Sequence, residues 1–215
     1  MTDTRQVGQI AGRYLDLQGL RQVAVGIGLL FLFAYEMVGP LTSAEIRAAG
    51  SGRVLLGLGA VVVGFAIAVA AAARISAWYR RNYGSVERTV RQRRLGMLIA
   101  GAGVLAFLVP FNIETTTMNS GHTLPVNLMD FTLALWIVGY WFYIGRSFRH
   151  YLVIAGIGFI LGIASIAGIP PSTFVWHLRE ATLYAAFASI VGGLIDHRIL
   201  TNALLRVDTR VGVGS

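Results

Sequence analysis

The chain has 215 residues, of which 55% are apolar and only 13% are charged, and its mean hydropathy is +0.66. A soluble domain carries about a quarter of its residues as charges, so this composition excludes an ordinary water-soluble globule. The net charge is +8 and all 18 basic residues are arginine. On a soluble chain that excess would suggest nucleic acid, but in a membrane chain arginines flank the helices, and no nucleic-acid partner is expected. Cysteine is absent, which excludes disulfides and thiolate chemistry.

Residues 1–21 are polar, and Val7, Ile10, Tyr14 and Leu17 recur within them at helical spacing. This pattern predicts a cytoplasmic amphipathic leader that lies on the membrane surface. A frayed tail is the alternative.

Six apolar segments follow, and none of them alternates with the period of two that a β-barrel requires. Each is close to the roughly 20 residues that a helix needs to cross the hydrocarbon core. We therefore predict an all-α integral membrane protein, a bundle of about six transmembrane helices within residues 22–198, followed by a cytoplasmic tail at 199–215. The predicted spans are residues 22–38, 54–73, 95–111, 125–144, 151–169 and 172–195.

The arginines orient this bundle. With the N-terminus inside, fifteen arginines fall on the cytoplasmic side, and three (Arg47, Arg53 and Arg179) fall outside. The positive-inside rule therefore predicts that both termini are cytoplasmic. Because the chain lacks lysine and is rich in Ala, Gly, Val and Arg, the predicted location is a bacterial cytoplasmic membrane, with the chain crossing it several times.

The most basic stretch of the chain is the predicted cytoplasmic loop at residues 80–94. One interpretation is contact with anionic lipid headgroups, at about 1 kcal/mol for each arginine near the surface. The other is docking of an acidic protein partner, such as a cytoplasmic ATPase or another membrane subunit. The residues concerned are Arg80, Arg81, Arg88, Arg91, Arg93 and Arg94.

The chain contains 26 glycines, and small residues allow helix backbones to approach closely in lipid. The pair Gly158 and Gly162 has the four-residue spacing of a helix-packing face. This face is predicted to pack within one bundle or between two copies of the chain.

Ionisable residues inside the spans are the most specific signal for function, because burying such a group in lipid is costly unless it is paired or solvated. By the predicted topology several of them lie in the outer half of the membrane. Asn127 and Asp130 share one helix face, and His177, Glu180 and Tyr184 share another. The predicted candidate site for an ion, proton or substrate contains Glu36, Asn127, Asp130, His177, Glu180 and Tyr184.

Three interpretations of this outer cluster stay open. The loop predicted between the third and fourth spans adds Glu114 and His122 to this cluster. In the first interpretation, Glu180 or Asp130 pairs with Arg179 and the other groups lie at the headgroup level. In the second, Glu36, Asp130 and Glu180 are the ligands or proton carriers of a cation or proton site at the mouth of a pathway. In the third, His177-x-x-Glu180 supplies two metal ligands on one helix face, and His122 or Asp130 completes the shell.

Familiar catalytic signatures are absent: there is no HExxH, GxSxG or phosphate-binding loop, and no paired histidines for a haem. No cofactor or metal is predicted. The leading hypothesis is a transporter or channel bundle, or the membrane subunit of a transport system. The alternatives are a non-catalytic accessory or structural subunit, and an intramembrane enzyme that acts on a lipid or small substrate.

Overall fold

A computed structural model describes residues 18–39, 43–83, 89–122, 124–144, 146, 148–168 and 173–211. The leader as far as residue 17 and the junction between the fifth and sixth predicted spans, at residues 169–172, lie outside the described residues. Within the described chain there is no strand, and five helices are long and apolar enough to cross a membrane. A sixth apolar helix is shorter. The prediction of an all-α bundle of about six helices is confirmed, and the chain is a multi-pass membrane protein.

The helices alternate in direction along the chain, as an up-and-down bundle requires. Glu36, near the end of the first helix, contacts Thr182, near the start of the last. At the opposite end, Tyr151 at the start of the fifth helix contacts Asp196 near the middle of the last. The helices are α1 (Leu20–Val38), α2 (Ser43–Tyr83), α3 (Val90–Asn119), α4 (Leu128–Tyr143), α5 (His150–Ala164, extended by a 3-10 turn at Ser165–Ala167) and α6 (Phe174–Val211).

Helix α2 is much longer than a membrane span. Its 41 residues extend for about 60 Å, roughly twice the thickness of the hydrocarbon core. Most of the loop predicted at residues 39–53 is therefore helical, from Ser43 onward. Hydropathy detects only the part of a helix that lies in lipid. Gly50 and Gly52 weaken a helix by about 1 kcal/mol each but do not end it.

Helices α3 and α6 also continue beyond their predicted spans. The loop predicted after residue 111 is helical as far as Asn119, and α6 reaches Val211 within the predicted tail. Polar residues do not end α3, because the hydroxyl groups of Thr115, Thr116 and Thr117 each donate to the carbonyl four residues earlier, at 2.7–2.8 Å.

A proline inside α3 is accommodated by a neighbouring helix. Pro110 has no N–H group, so the carbonyl of Ala106 one turn earlier lacks its usual helical donor. The hydroxyl of Thr132 on α4 hydrogen-bonds this carbonyl. Such side-chain compensation is what allows proline within a helix in lipid.

The bundle consists of two groups of helices that meet at α6. Helix α1 packs most extensively on α6 and next on α2, whereas α4 packs on α5 and α3. Helix α6 makes smaller contacts with α3, α4 and α5. The faces of α2 and α3 that point out of the bundle carry exposed leucine, valine and isoleucine side chains, as lipid contact requires.

Glycine brings α1 and α6 into backbone contact. A Cβ atom added at Gly193 would lie 2.4 Å from the carbonyl oxygen of Gly19, and one added at Gly19 would lie 1.9 Å from that of Gly193. Gly26, two turns further along α1, faces the carbonyl of Ala186 in the same way, at 2.8 Å. No methyl group fits at these positions unless the two helices move apart.

We therefore expect Gly193→Ala to destabilise the bundle by about 1–3 kcal/mol, the usual cost of overpacking a close interface. Thermal unfolding of the purified protein in detergent measures the change. Gly139→Ala is the matched control, since the space around Gly139 on α4 is open. Equal unfolding temperatures for the two variants would contradict the close contact between α1 and α6.

Candidate functional site

A fully buried asparagine joins the start of α4 to α6. The side-chain oxygen of Asn127 accepts hydrogen bonds from the backbone N–H groups of Met129 and Asp130, and so caps the helix. Its amide nitrogen lies 2.8 Å from the Asp130 carboxylate, 3.0 Å from the carbonyl oxygen of His177 and 3.2 Å from the Glu180 carboxylate. Two acidic side chains from different helices therefore meet at one amide group.

A carboxylate–imidazole pair extends this network to α3. Glu114 accepts a hydrogen bond from the backbone N–H of Leu128 at 2.8 Å, and its other oxygen lies 2.8 Å from Nδ1 of His177. Only 2% of each of these two side chains is exposed. Because a carboxylate can only accept, we assign the proton to Nδ1 of His177. The pair holds the ends of α3, α4 and α6 together.

A separate contact joins α1 to α6 at the same end of the bundle. Glu36 is buried, and one of its carboxylate oxygens accepts a hydrogen bond from the Thr182 hydroxyl at 2.9 Å. The guanidinium group of Arg179 donates to the backbone carbonyl of Glu36 at 2.9 Å and lies over the ring of Trp176. Arg179 therefore contacts the backbone of Glu36 and the ring of Trp176. No described hydrogen bond or ion pair joins it to Asp130 or Glu180.

Four of the six predicted site residues thus lie in one network, and Glu36 and Tyr184 lie outside it. Asn127, Asp130, His177 and Glu180 lie in one network, which we call the outer network and which also includes Glu114. Glu36 lies beside it, on another face of α6. The Tyr184 hydroxyl donates to the carbonyl of Ile154 on α5, one turn deeper than Glu180. His122 is exposed at the end of α3 and contributes no described contact to the network.

Glu114 belongs to the outer network, although the predicted candidate site does not contain it. The sequence analysis places it in a loop beside the cluster, whereas the structure buries it in α3. The helical spacing of Phe107, Phe111 and Glu114 indicated the correct position, because these residues share one face. The phenylalanines pack against Met129, Leu178 and Ala181.

Several polar atoms at this end of the bundle are buried with no hydrogen-bond partner among the described residues. They are Oδ1 of Asp130, Nε2 of His177 and Oε2 of Glu36. Their side chains are 0–2% exposed. An unpaired buried polar group costs about 1–3 kcal/mol, so three of them at one end of the bundle require an explanation beyond packing.

A cavity of about 300 Å³ lies below the outer network, toward the middle of the bundle. Leu133 and Ile137 line it, one and two turns after Asp130 on the same face of α4. Tyr184 lines it one turn after Glu180. A second cavity, of about 310 Å³, is lined by α1, α3 and α4 and by Ala72 of α2. The two cavities share four lining residues, Gln22, Val25, Trp136 and Tyr140.

The described residues offer no group of three or more histidine, aspartate or glutamate side chains placed to hold a metal ion. The two residues of the predicted ligand pair have different partners: His177 contacts Glu114, and Glu180 contacts Asn127.

The predicted packing glycines lie against neighbouring helices of the same chain. A Cβ atom at Gly158 would lie 2.4 Å from the Tyr184 hydroxyl oxygen, and one at Gly162 would lie 3.2 Å from the carbonyl oxygen of Asn127. The carbonyl of Gly162 also accepts a hydrogen bond from the backbone N–H of Asn127 at 3.0 Å. This face of α5 therefore supports the outer network from a third side.

The basic arginines lie at the opposite end of the bundle, where α2 ends and α3 begins. Arg88 falls outside the described residues. The side chains of the others are exposed, namely Arg80, Arg81, Arg91, Arg93 and Arg94. Thr89 and Gln92 form a capping box that starts α3 within this stretch.

Comparisons with known protein families, curated proteins and solved structures find no match to this chain.

Proposed function

We propose that the chain is a transport protein, or the membrane subunit of a transport system, in which the outer network binds a proton or a small cation during translocation. The observation that carries this proposal is the burial of Asp130, with one oxygen unpaired, beside a second carboxylate on another helix.

The cost of this arrangement supports a functional role. Ionisable residues within membrane spans are rare because their desolvation costs several kcal/mol, and they commonly mark ion or proton pathways. The outer network buries Glu114, Asp130 and His177 almost completely. An apolar core would hold the same helices together without that cost.

The unpaired atoms indicate what the network binds. Asp130 and Glu180 both approach the amide nitrogen of Asn127, and two carboxylates so close in a low dielectric repel each other unless a positive charge lies between them. A proton on Oδ1 of Asp130, or a cation held there, would satisfy the unpaired oxygen and remove the repulsion.

Proton and cation flux through reconstituted vesicles tests this proposal. A pH-sensitive dye inside the vesicles reports proton entry after an imposed pH gradient, and a sodium- or potassium-sensitive dye reports the cations. The substitution Asp130→Asn keeps the shape of the side chain and removes its charge. We expect flux to fall at least about tenfold, because the central acceptor is lost from the path.

The control is Asn112→Ala, which changes an exposed side chain on α3 whose only described hydrogen bond is to Leu108 in its own helix. This variant is expected to retain the wild-type rate. Wild-type flux through Asp130→Asn would remove the outer network from the pathway. Wild-type vesicles that conduct neither protons nor cations would contradict autonomous transport.

A non-catalytic accessory subunit is the second candidate. The exposed arginines between α2 and α3 favour it, because they can contact anionic headgroups or an acidic protein. This candidate is the one supported if wild-type vesicles show no flux.

A further inference from the structure

A second group of buried titratable side chains lies near the middle of α6, toward the opposite end of the bundle from the outer network. Asp196 is fully buried, and one of its carboxylate oxygens accepts a hydrogen bond from the Tyr151 hydroxyl. Its other oxygen lies 3.1 Å from Nε2 of His150, although the two atoms are not aligned for a hydrogen bond. Nearby, the hydroxyl of the fully buried Tyr79 lies 2.7 Å from Nδ1 of His197. We call Asp196, His150 and Tyr151 the inner group.

We propose that the inner group is a second proton-binding site, which exchanges protons between the predicted cytoplasmic side and the cavity that leads to the outer network. This inference rests on the proposed transport function and names its substrate as the proton.

The distances within the inner group allow proton transfer once the imidazole of His150 rotates to align its Nε2 with the Asp196 carboxylate. The His150 side chain is 13% exposed and that of Asp196 is 1% exposed, so the imidazole reaches solvent while it contacts the buried carboxylate. Protonated His150 carries a proton on each ring nitrogen. Transfer of the Nε2 proton to Asp196 leaves a neutral imidazole and a neutral carboxylic acid, so the step conserves charge and needs no co-reactant.

The cavity of about 300 Å³ lies between the two groups of titratable residues: Tyr151 of the inner group lines it, and at its other end Leu133 and Tyr184 lie one turn from Asp130 and Glu180. It has room for roughly ten water molecules at about 30 Å³ each. Polar side chains occur along it from Tyr184, one turn below Glu180, through Ser189 and Gln22 to Tyr151, which contacts Asp196 directly. The lining therefore offers hydrogen-bonding groups over the distance between the two sites.

Gly192 lies one turn before Asp196 on α6, beside three residues that line this cavity. A Cβ atom added there would meet Ile154, Gln22 and Tyr151 at 3.5–3.9 Å, which is ordinary van der Waals contact. A larger side chain would fill the space between the cavity and Asp196. Gly192 is therefore the position at which the connection can be blocked without changing a titratable group.

The test uses the same proton-flux measurement on Asp196→Asn. We expect at least about a tenfold loss of flux, since the acceptor for the His150 proton is removed. Infrared spectroscopy provides a second measurement. The carboxyl band that is lost in Asp130→Asn is assigned to Asp130. In Asp196→Asn this band should still respond to external pH, because the outer network stays intact.

A steric variant keeps the inference falsifiable if Asp196→Asn does not fold. Gly192→Leu is expected to reduce flux to a similar extent, whereas Gly139→Leu, at a position with open space around it, is expected to retain it. Wild-type flux in both Asp196→Asn and Gly192→Leu, with flux lost in Asp130→Asn, would overturn the inner site and leave the proposed function standing. Wild-type flux in Asp130→Asn as well would overturn both.

Discussion

Glu114→Ala is expected to destabilise the protein by about 2–6 kcal/mol, since it leaves two buried hydrogen-bond donors unpaired at about 1–3 kcal/mol each. Glu114 connects three helices, because it accepts from the backbone of Leu128 and contacts Nδ1 of His177. Alanine leaves both donors buried and unpaired. Equilibrium unfolding with denaturing detergent, monitored by helical circular dichroism, measures the loss.

Two comparison variants separate charge from packing at this position. Glu114→Gln keeps one carbonyl acceptor, and we expect it to lose only about 1–2 kcal/mol, in line with the loss of one hydrogen bond to a charged group. Thr116→Ala removes an exposed hydroxyl two residues away in the same helix and should change stability little. If Glu114→Ala were as stable as Thr116→Ala, the Glu114–His177 pair would not hold the helix ends together.

Asn127→Ala is expected to cost about 3–4 kcal/mol. Loss of the helix cap accounts for about 1 kcal/mol, and the remainder comes from the acceptors on Asp130, Glu180 and His177 that lose their donor. The same unfolding measurement applies.

Asn127→Asp distinguishes these two contributions, because an aspartate still caps α4 but cannot donate from an amide nitrogen. We expect this variant to be at least as unstable as Asn127→Ala, since it adds a carboxylate beside Asp130 and Glu180. Stability close to wild type would show that Asn127 acts only as a helix cap.

The fold was predictable because the composition, the spacing of apolar segments and the lack of period-two alternation all reflect transfer into lipid. The helix ends were not, because hydropathy carries no information once a helix leaves the hydrocarbon core. Gly50 and Gly52 in α2 illustrate this: both resemble loop residues, yet the helix continues through them.

The candidate site was predictable in part. The positions of Asn127, Asp130, His177 and Glu180 follow from helix periodicity, and the network brings them together. Their partners depend on how helices pack, which periodicity within one helix cannot give. Glu114 was assigned to a loop because the hydropathy signal ends before α3 does. That assignment concealed its contact with His177.

The position of α6 has a consequence for biosynthesis. Helices are made in chain order, so α1 to α5 enter the bilayer before the helix that joins their two groups exists. Until α6 arrives, Glu36 and Glu114 lack the donors supplied by Thr182 and His177. Before α6 is inserted, the unpaired carboxyl groups of the early helices must therefore lie in the translocon or in contact with another early helix. Insertion of α6 is the step that commits the chain to its final arrangement.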